Sequence, residues 1–159
     1  MNEDAKKQTL LMIPYGLYVV GVTGPDGSVN AFTANWLSQA SFKPPLIMMA
    51  VKTDSRSYPM IRESKSFAVS FLESGQKEIA AAFFKPPELV NGKLGGHAVE
   101  FHETGAPVLA AAPAFVECAV TDVVDRGDHA IFVAQVTNAG HRRSASPLLM
   151  SETGWKYGG

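Results

Sequence analysis

One stretch of the chain, residues 30–57, concentrates the side chains that are able to bind a ligand. Its first part surrounds an aromatic residue, Trp36, with small polar side chains: Asn30, Thr33, Asn35, Gln39 and Ser41. Its last part combines hydroxyl groups with two cations: Lys52, Thr53, Ser55, Arg56 and Ser57. An aromatic plate with a polar edge, followed by an anion site, would suit a flat heterocycle that carries a phosphate.

The anion site gains support from its place in the predicted secondary structure. The apolar run 46–52 predicts a central strand buried on both faces, and a helix follows that is capped by Asp54 or Ser55 and reaches about Glu63. Free N–H groups and the dipole at a helix start favour an anion. Taken alone, the hydroxyl residues fit an ordinary helix cap and Trp36 fits a core or interface. The prediction therefore depends on their order and closeness.

Composition excludes several other classes of function. The net charge of −1 provides no basic field for nucleic acid, so we expect no nucleic-acid partner. One cysteine, Cys118, allows no internal disulfide and fits a reducing compartment. The four histidines show no zinc-ligand spacing, and no metal site is expected.

The N-terminal residues predict neither a leader nor a membrane anchor. They are charged before a short apolar run, Leu10–Ile13, which lacks the length of a signal peptide. No apolar run approaches the ~20 residues that cross a bilayer. We therefore expect a cytoplasmic protein without a membrane partner.

The common nucleotide-binding motifs are absent. Gly21, Gly24 and Gly27 do not match GxGxxG, and a turn follows them where a helix should begin. No GxxxxGK[ST] motif occurs either. The glycines are better explained by a hairpin turn at Gly24–Gly27 between strands over 15–23 and 28–34.

The remaining elements predict a mostly β fold in a single domain over residues 1–159. Further strands are predicted over 67–72, 114–124, 129–138 and 147–150, and helices over 75–84 and, in a short or frayed form, 3–9. Residues 85–107 predict a long functional connection around a short element near 97–102. About six to seven antiparallel strands with two or three short helices favour a closed barrel, since closure leaves no edge unpaired.

At this point the chain resembles a known family, the FMN-binding split-barrel flavin reductases, and especially their flavoredoxin and ferric-reductase-like branch. The resemblance covers roughly residues 12–150. The matching segments are TANWLSQASFKPPLI (33–47), VKTDSRSY (51–58), ESKSFAVSFL (63–72), SGQKEIAAAFF (74–84), GAPVL (105–109), CAV (118–120), GDHAIFVAQV (127–136) and PLL (147–149).

The resemblance implies a Greek-key split β-barrel that assembles as a homodimer, with FMN, or alternatively FAD, near the subunit interface. It also assigns roles to thirteen residues. The residues that would line the polar edge of the flavin ring and the ribityl chain are Thr33, Ala34, Asn35 and Trp36. The residues that would close the opposite part of this binding-site wall are Gln39, Ala40 and Ser41. The residues that would bind the phosphate are Lys52, Thr53, Ser55, Arg56 and Ser57. His129 would help to place the nicotinamide.

The chemistry that the resemblance implies is hydride transfer from NAD(P)H to the flavin, followed by electron transfer to free flavin, a ferric chelate or a redox partner protein. Two alternatives stay open. One is a flavoredoxin-like carrier that a protein partner reduces, and the other is a barrel of the same fold that binds another flat ligand such as haem. The residues do not choose between NADH and NADPH.

Overall fold

The computed structural model describes residues 1–159. The strands are β1 (Tyr18–Thr23), β2 (Val29–Ala34), β3 (Leu37–Ser41), β4 (Leu46–Lys52), β5 (Ser66–Phe71), β6 (Leu89–Val90), β7 (Lys93–Leu94), β8 (His97–Phe101), β9 (Pro107–Leu109), β10 (Ala114–Asp125) and β11 (His129–His141). The helices are α1 (Glu3–Leu10), α2 (Ser57–Ser64), α3 (Lys77–Ala82) and a 3-10 helix, Met150–Glu152. None of them has the length and apolar content that crossing a membrane requires.

The main sheet has seven antiparallel strands in the order β2-β1-β5-β10-β11-β4-β3. Its two edge strands, β2 and β3, are consecutive in the sequence and are joined only by Asn35 and Trp36. No ladder pairs β2 with β3, so the barrel is open along one side. The prediction of a mostly β split barrel is confirmed. The expectation of a fully closed barrel is wrong, because the two edge strands are joined by the chain itself and not by hydrogen bonds between them.

A second, smaller sheet in the order β6-β7-β8-β9 is built from residues predicted as a long connection. Only β8 coincides with the short element expected near 97–102. The strands β6 and β7 have two residues each, too few to show an alternating pattern in the sequence. Residues 147–150, predicted as a strand, make two isolated bridges and then enter the 3-10 helix.

Strand β4 has the predicted bounds but a different environment. Its burial alternates: Ile47, Met49 and Val51 are buried, whereas Met48 is 44% exposed. The expected burial on both faces is wrong because β4 lies next to the edge strand β3, and only one of its faces meets the core. Strand β3 was not predicted, since its polar residues were interpreted as ligand-binding groups.

Two main hydrophobic clusters stabilise the fold. The larger one has 14 buried residues and packs α2 against the inner face of the main sheet, with Met49, Ile61 and Phe132 at its centre. The second has 10 buried residues and joins α3 and the small sheet to β1 and β2. Phe83, at the end of α3, belongs to this second cluster and is 2% exposed.

Gly21 allows the small sheet to approach the main one. A Cβ at this position would lie 2.1 Å from the backbone oxygen of Pro107 in β9. Only glycine tolerates such close backbone contact in a strand. Gly21 is therefore a packing residue and has no part in a phosphate loop.

A fully buried carboxylate, Glu117 in β10, holds the loop before β9. It accepts hydrogen bonds from the backbone N–H groups of Glu103 (3.1 Å) and Thr104 (2.8 Å), from the Thr104 hydroxyl (2.5 Å) and from the Asn138 amide (2.7 Å). Burial by itself raises the pKa of Glu117, but these hydrogen bonds outweigh it and hold the pKa below its ordinary value.

We expect Glu117→Gln to lower the free energy of unfolding by about 1.5–3 kcal/mol near neutral pH, because the amide replaces a charge-assisted acceptor. Since the folded pKa is depressed, this contribution is fully present above the unfolded pKa of about 4.3. It is lost as the pH falls through the lower folded pKa. Urea unfolding of both proteins at several pH values measures the difference.

Glu103→Gln is the matched control, because Glu103 is exposed in the same loop and its side chain makes no hydrogen bond. Its stability should follow that of the wild type at every pH. A Glu117→Gln protein whose stability difference from the wild type does not shrink in acid would contradict the assignment.

Candidate active site

A cavity of about 580 Å³ opens where the two edges of the main sheet diverge. Its walls come from the end of β2, the connection to β3, the end of β4, the start of β11, the end of α3 and the segment after the 3-10 helix. Most of the lining residues, 11 of 17, are hydrophobic. A largely apolar cavity with a few polar groups is typical of a site for a small molecule or cofactor.

The structure brings together seven of the thirteen residues that the sequence predicted for the site. The lining includes Thr33, Ala34, Asn35, Trp36, Lys52, Ser55 and His129. The other six lie outside the lining: Gln39, Ala40, Ser41, Thr53, Arg56 and Ser57. For these six, a contact with a ligand stays a prediction.

The β2 side of the cavity is fixed by hydrogen bonds to neighbouring elements. The Thr33 hydroxyl donates to the carbonyl of Ala80 in α3 at 2.6 Å, so its proton is already used and its oxygen remains able to accept. The Trp36 carbonyl accepts from the backbone N–H of Ala50 in β4 at 2.9 Å. These bonds hold the connection between β2 and β3 against the cavity.

Trp36 carries an unpaired polar atom at the cavity. Its indole Nε1 is buried and has no hydrogen-bond acceptor within the chain. A buried donor without a partner costs on the order of 1–3 kcal/mol, which an acceptor from a ligand would offset. The polar edge of a flavin ring carries nitrogen and oxygen acceptors, so the residues present fit such a ring.

The cation and hydroxyl cluster lies between β4 and α2. Lys52 is half exposed, and its hydrogen bond to Asp54 (3.0 Å), together with that carboxylate's charge, raises the pKa of Lys52. The Ser55 hydroxyl accepts from the backbone N–H of Tyr58 at 3.3 Å, which gives the first turn of α2 a partial cap. Arg56 is exposed at the start of this helix. Lys52 and Ser55 thus line the cavity, and Arg56 and the start of α2 follow directly after them in the chain.

Two hydroxyl residues of this cluster have partners elsewhere in the protein. Ser57 is 2% exposed, and its oxygen accepts from the amide of Asn30 at 2.7 Å, which ties α2 to β2. The hydroxyl and the backbone N–H of Thr53 both donate to the carbonyl of Asp128, at 3.1 and 2.9 Å. Thr53 therefore fixes the turn before β11.

The second half of the predicted wall, Gln39, Ala40 and Ser41, lies on the edge strand β3. Gln39 and Ala40 are exposed, and a bulge interrupts the pairing of this strand with β4 between Gln39 and Ser41. None of the three residues lines the cavity.

His129 closes the side of the cavity that faces Trp36. Its Nδ1 lies 2.9 Å from a carboxylate oxygen of Asp128, and its Nε2 lies 2.8 Å from the hydroxyl of Tyr157. The centroid of its ring is 4.6 Å from that of Trp36. The hydrogen bond from His129 lowers the pKa of Asp128.

The sequence interpretation missed one wall of the cavity, the segment Trp155–Tyr157. Its two aromatic residues follow a glycine near the end of the chain, where exposed aromatic side chains are unexpected. That composition was the available signal. Phe83 and Phe84 at the end of α3 were likewise assigned to a helix and not to the site, yet both line the cavity.

Known proteins resemble this chain in sequence and in fold. An NADH-dependent FAD reductase from Streptomyces globisporus is 34% identical over 146 residues, which cover 87% of this chain and 76% of that protein. The reductase subunit of stachydrine N-demethylase from Rhizobium meliloti is 29% identical over 84% of this chain, which spans only 56% of that protein's length. The crystal structure of the flavin reductase component of a bacterial two-component tryptophan halogenase superposes with a TM-score of 0.80 at 28% identity, covering 99% of this chain and 98% of that one.

A family model described as the flavin reductase like domain matches residues 10–159. This match and the relatives confirm the resemblance that the sequence motifs indicated. The chain belongs to the flavin reductase-like family.

Proposed function

We propose that the protein is an NAD(P)H-dependent flavin reductase that binds FMN, or FAD, in the cavity beside Trp36. One observation carries the proposal. The cavity is mainly apolar, and its lining includes Trp36, whose indole Nε1 is buried and unpaired, together with Lys52, Ser55 and the Lys52 strand partner His129. When bound, the flavin accepts a hydride from the nicotinamide and passes electrons on.

The ring of the flavin would lie against Trp36 and the end of β2. The indole Nε1, the Asn35 amide and the lone pairs of the Thr33 hydroxyl offer the polar contacts on this side. Phe83 and Phe84 supply apolar contact and exclude water. The chain here binds and orients the ring, and it needs no acid or base of its own.

The phosphate would lie at the start of α2. Lys52 and Ser55 line the cavity at this end, and Arg56 and Ser57 follow within two residues of Ser55. Cations, hydroxyl donors and the positive end of a helix dipole are the groups that bind a phosphate dianion. FMN ends in a single phosphate, which favours it over FAD for this cluster.

The electron acceptor is proposed from the names of the relatives. Two of them are reductase parts of larger systems, a demethylase and a two-component halogenase. We propose that this protein likewise delivers reduced flavin to a partner enzyme. The relative named as an NADH-dependent reductase supports reduction by a pyridine nucleotide over a carrier that a partner protein reduces.

A homodimer and a cytoplasmic location belong to the same proposal. The outer face of β4 and β11 exposes Met48 by 44% and Ile131 by 40%, and this face adjoins Ala50 at the cavity. A second copy of the chain would cover these apolar side chains and complete the wall. The one cysteine, Cys118, is buried and unpaired, which is compatible with a reducing compartment.

The direct test is turnover. We expect purified protein to bind FMN, become yellow and oxidise NADH or NADPH, measured by loss of the nucleotide's absorbance. Rapid mixing of the FMN-loaded protein with each nucleotide under anaerobic conditions should bleach the flavin. Bound flavin that neither nucleotide bleaches would instead support the electron-carrier alternative, and a colourless protein would refute both.

Arg56→Ala tests the phosphate end of the site. We expect the Kd for FMN to rise about tenfold, because an exposed charge-assisted hydrogen bond to the phosphate is worth about 1.5 kcal/mol. The Kd for riboflavin, which has no phosphate, should not change. Fluorescence titration measures both.

Arg62→Ala is the matched control, since it removes the same charge from the other end of α2, where Arg62 pairs with Asp125. An equal loss of FMN affinity in both variants would point to general electrostatics. An unchanged Kd in Arg56→Ala would assign the cation to Lys52.

His129→Ala tests the nicotinamide side. We expect the KM for NAD(P)H to rise about 2- to 10-fold, the effect of losing one neutral hydrogen bond, while FMN binding stays intact. His141→Ala, at the far end of β11, is the control and should behave as the wild type. Loss of FMN from His129→Ala would reassign the residue to the flavin.

A further inference from the structure

Both ring nitrogens of His129 already have partners within the chain. Nδ1 lies 2.9 Å from Asp128 Oδ1, and a carboxylate only accepts, so Nδ1 carries the proton. In a neutral imidazole Nε2 is then an acceptor, and the Tyr157 hydroxyl donates to it at 2.8 Å. A ligand can therefore hydrogen-bond to His129 only by replacing one of these partners.

The ring faces of His129 are also covered. Its side chain is only 13% exposed, with the Trp36 centroid at 4.6 Å and the Tyr157 centroid at 5.9 Å. Trp36 is held by the Ala50 backbone, whereas Tyr157 is 45% exposed. Of the two neighbours, Tyr157 is the one that is able to move away.

The segment around Tyr157 occupies two further polar groups of the proposed flavin site. The Asn35 amide donates to the Tyr157 carbonyl over a long 3.4 Å. A Cβ placed on Gly158 would lie 3.9 Å from Nε1 of Trp36, so this segment covers the indole nitrogen without giving it an acceptor. The covered arrangement therefore leaves a buried donor unpaired, which a bound ligand would satisfy.

The segment is anchored at its other end. The ring of Trp155 contacts that of Phe84 with centroids 4.8 Å apart, and the ammonium of Lys77 lies 5.1 Å from the Trp155 centroid. Thr153, before the segment, is 5% exposed and donates to the carbonyl of Met150 at 2.7 Å. Tyr157 can thus leave His129 while Trp155 stays packed on α3.

We propose that Tyr157 sets the affinity of the site for NAD(P)H by competing with the nicotinamide for Nε2 of His129. The carboxamide of the nicotinamide carries N–H donors, so it replaces the phenol hydroxyl in the same hydrogen bond. The nucleotide binds by displacing Tyr157 from His129. This inference rests on the proposed reduction of a flavin by NAD(P)H.

Tyr157→Phe tests the competition, because it removes the hydroxyl and keeps the ring. We expect the KM for NADH or NADPH to fall about 2- to 10-fold, because the nucleotide no longer has to break the neutral hydrogen bond between Tyr157 and His129. The melting temperature should match that of the wild type. Tyr18→Phe is the control, since Tyr18 lies outside the cavity lining and its hydroxyl makes no side-chain hydrogen bond.

An unchanged KM in Tyr157→Phe would overturn this inference but not the proposed function, because the wild type would still oxidise NADH or NADPH. A KM that rises would also overturn it, and would make Tyr157 a support that positions His129. A wild type that oxidises neither nucleotide would overturn the proposed function and this inference with it.

A second measurement reads the hydrogen bond without any nucleotide. The nitrogen-15 resonance of His129 Nε2 should shift between the wild type and Tyr157→Phe, since the imidazole acceptor loses its donor. Saturating NAD⁺ should bring both proteins to the same resonance. Identical His129 spectra in the two unliganded proteins would overturn the inference.

Discussion

The register between β4 and β11 is the constraint on which the polar groups of the cavity depend. Lys52 pairs with His129 across these strands, and Thr53 extends the pairing through two hydrogen bonds to the Asp128 carbonyl. Because strand side chains alternate with a period of two, a slip of one residue between the strands would place Lys52 and His129 on opposite faces of the sheet. A cation from one sequence motif and an imidazole from another, 77 residues later, thereby belong to one site.

Much of this arrangement could be predicted from local patterns. The hairpin around Gly24–Gly27, the bounds of β4 and the helices α2 and α3 each follow from periodicity or turn residues within a short window. The family followed from the order of several weak motifs, and the matched family model confirms it. What failed depends on distant parts of the chain. Three features depend on residues that are distant in the sequence, so a local pattern does not predict them. They are the closure of the barrel, the burial of the outer face of β4 and the two-residue strands of the small sheet.

The candidate site shows the same division. Residues 33–36 line the cavity because they lie at the end of the edge strand β2 and in its connection to β3. The sequence motif correctly predicted that these four residues lie together. Thr53 and Ser57 carry the residue type that a phosphate needs, yet their hydroxyl oxygens contact Asp128 and Asn30. A sequence does not distinguish a hydroxyl that awaits a ligand from one that ties two segments together. Nor does it place Tyr157 beside His129, since 28 residues separate them.

The open side of the sheet has a mechanical consequence. The edges β2 and β3 are joined only through Asn35 and Trp36, and no ladder hydrogen bond spans the gap. Widening the gap therefore breaks no strand pairing but disturbs the packing of α2, which contacts both β2 and β4. In a closed barrel, a row of backbone hydrogen bonds between the two edge strands would resist the same change. The width of this gap is therefore set by side-chain packing around α2, whereas strand pairing between β4 and β11 sets the spacing of Lys52 and His129.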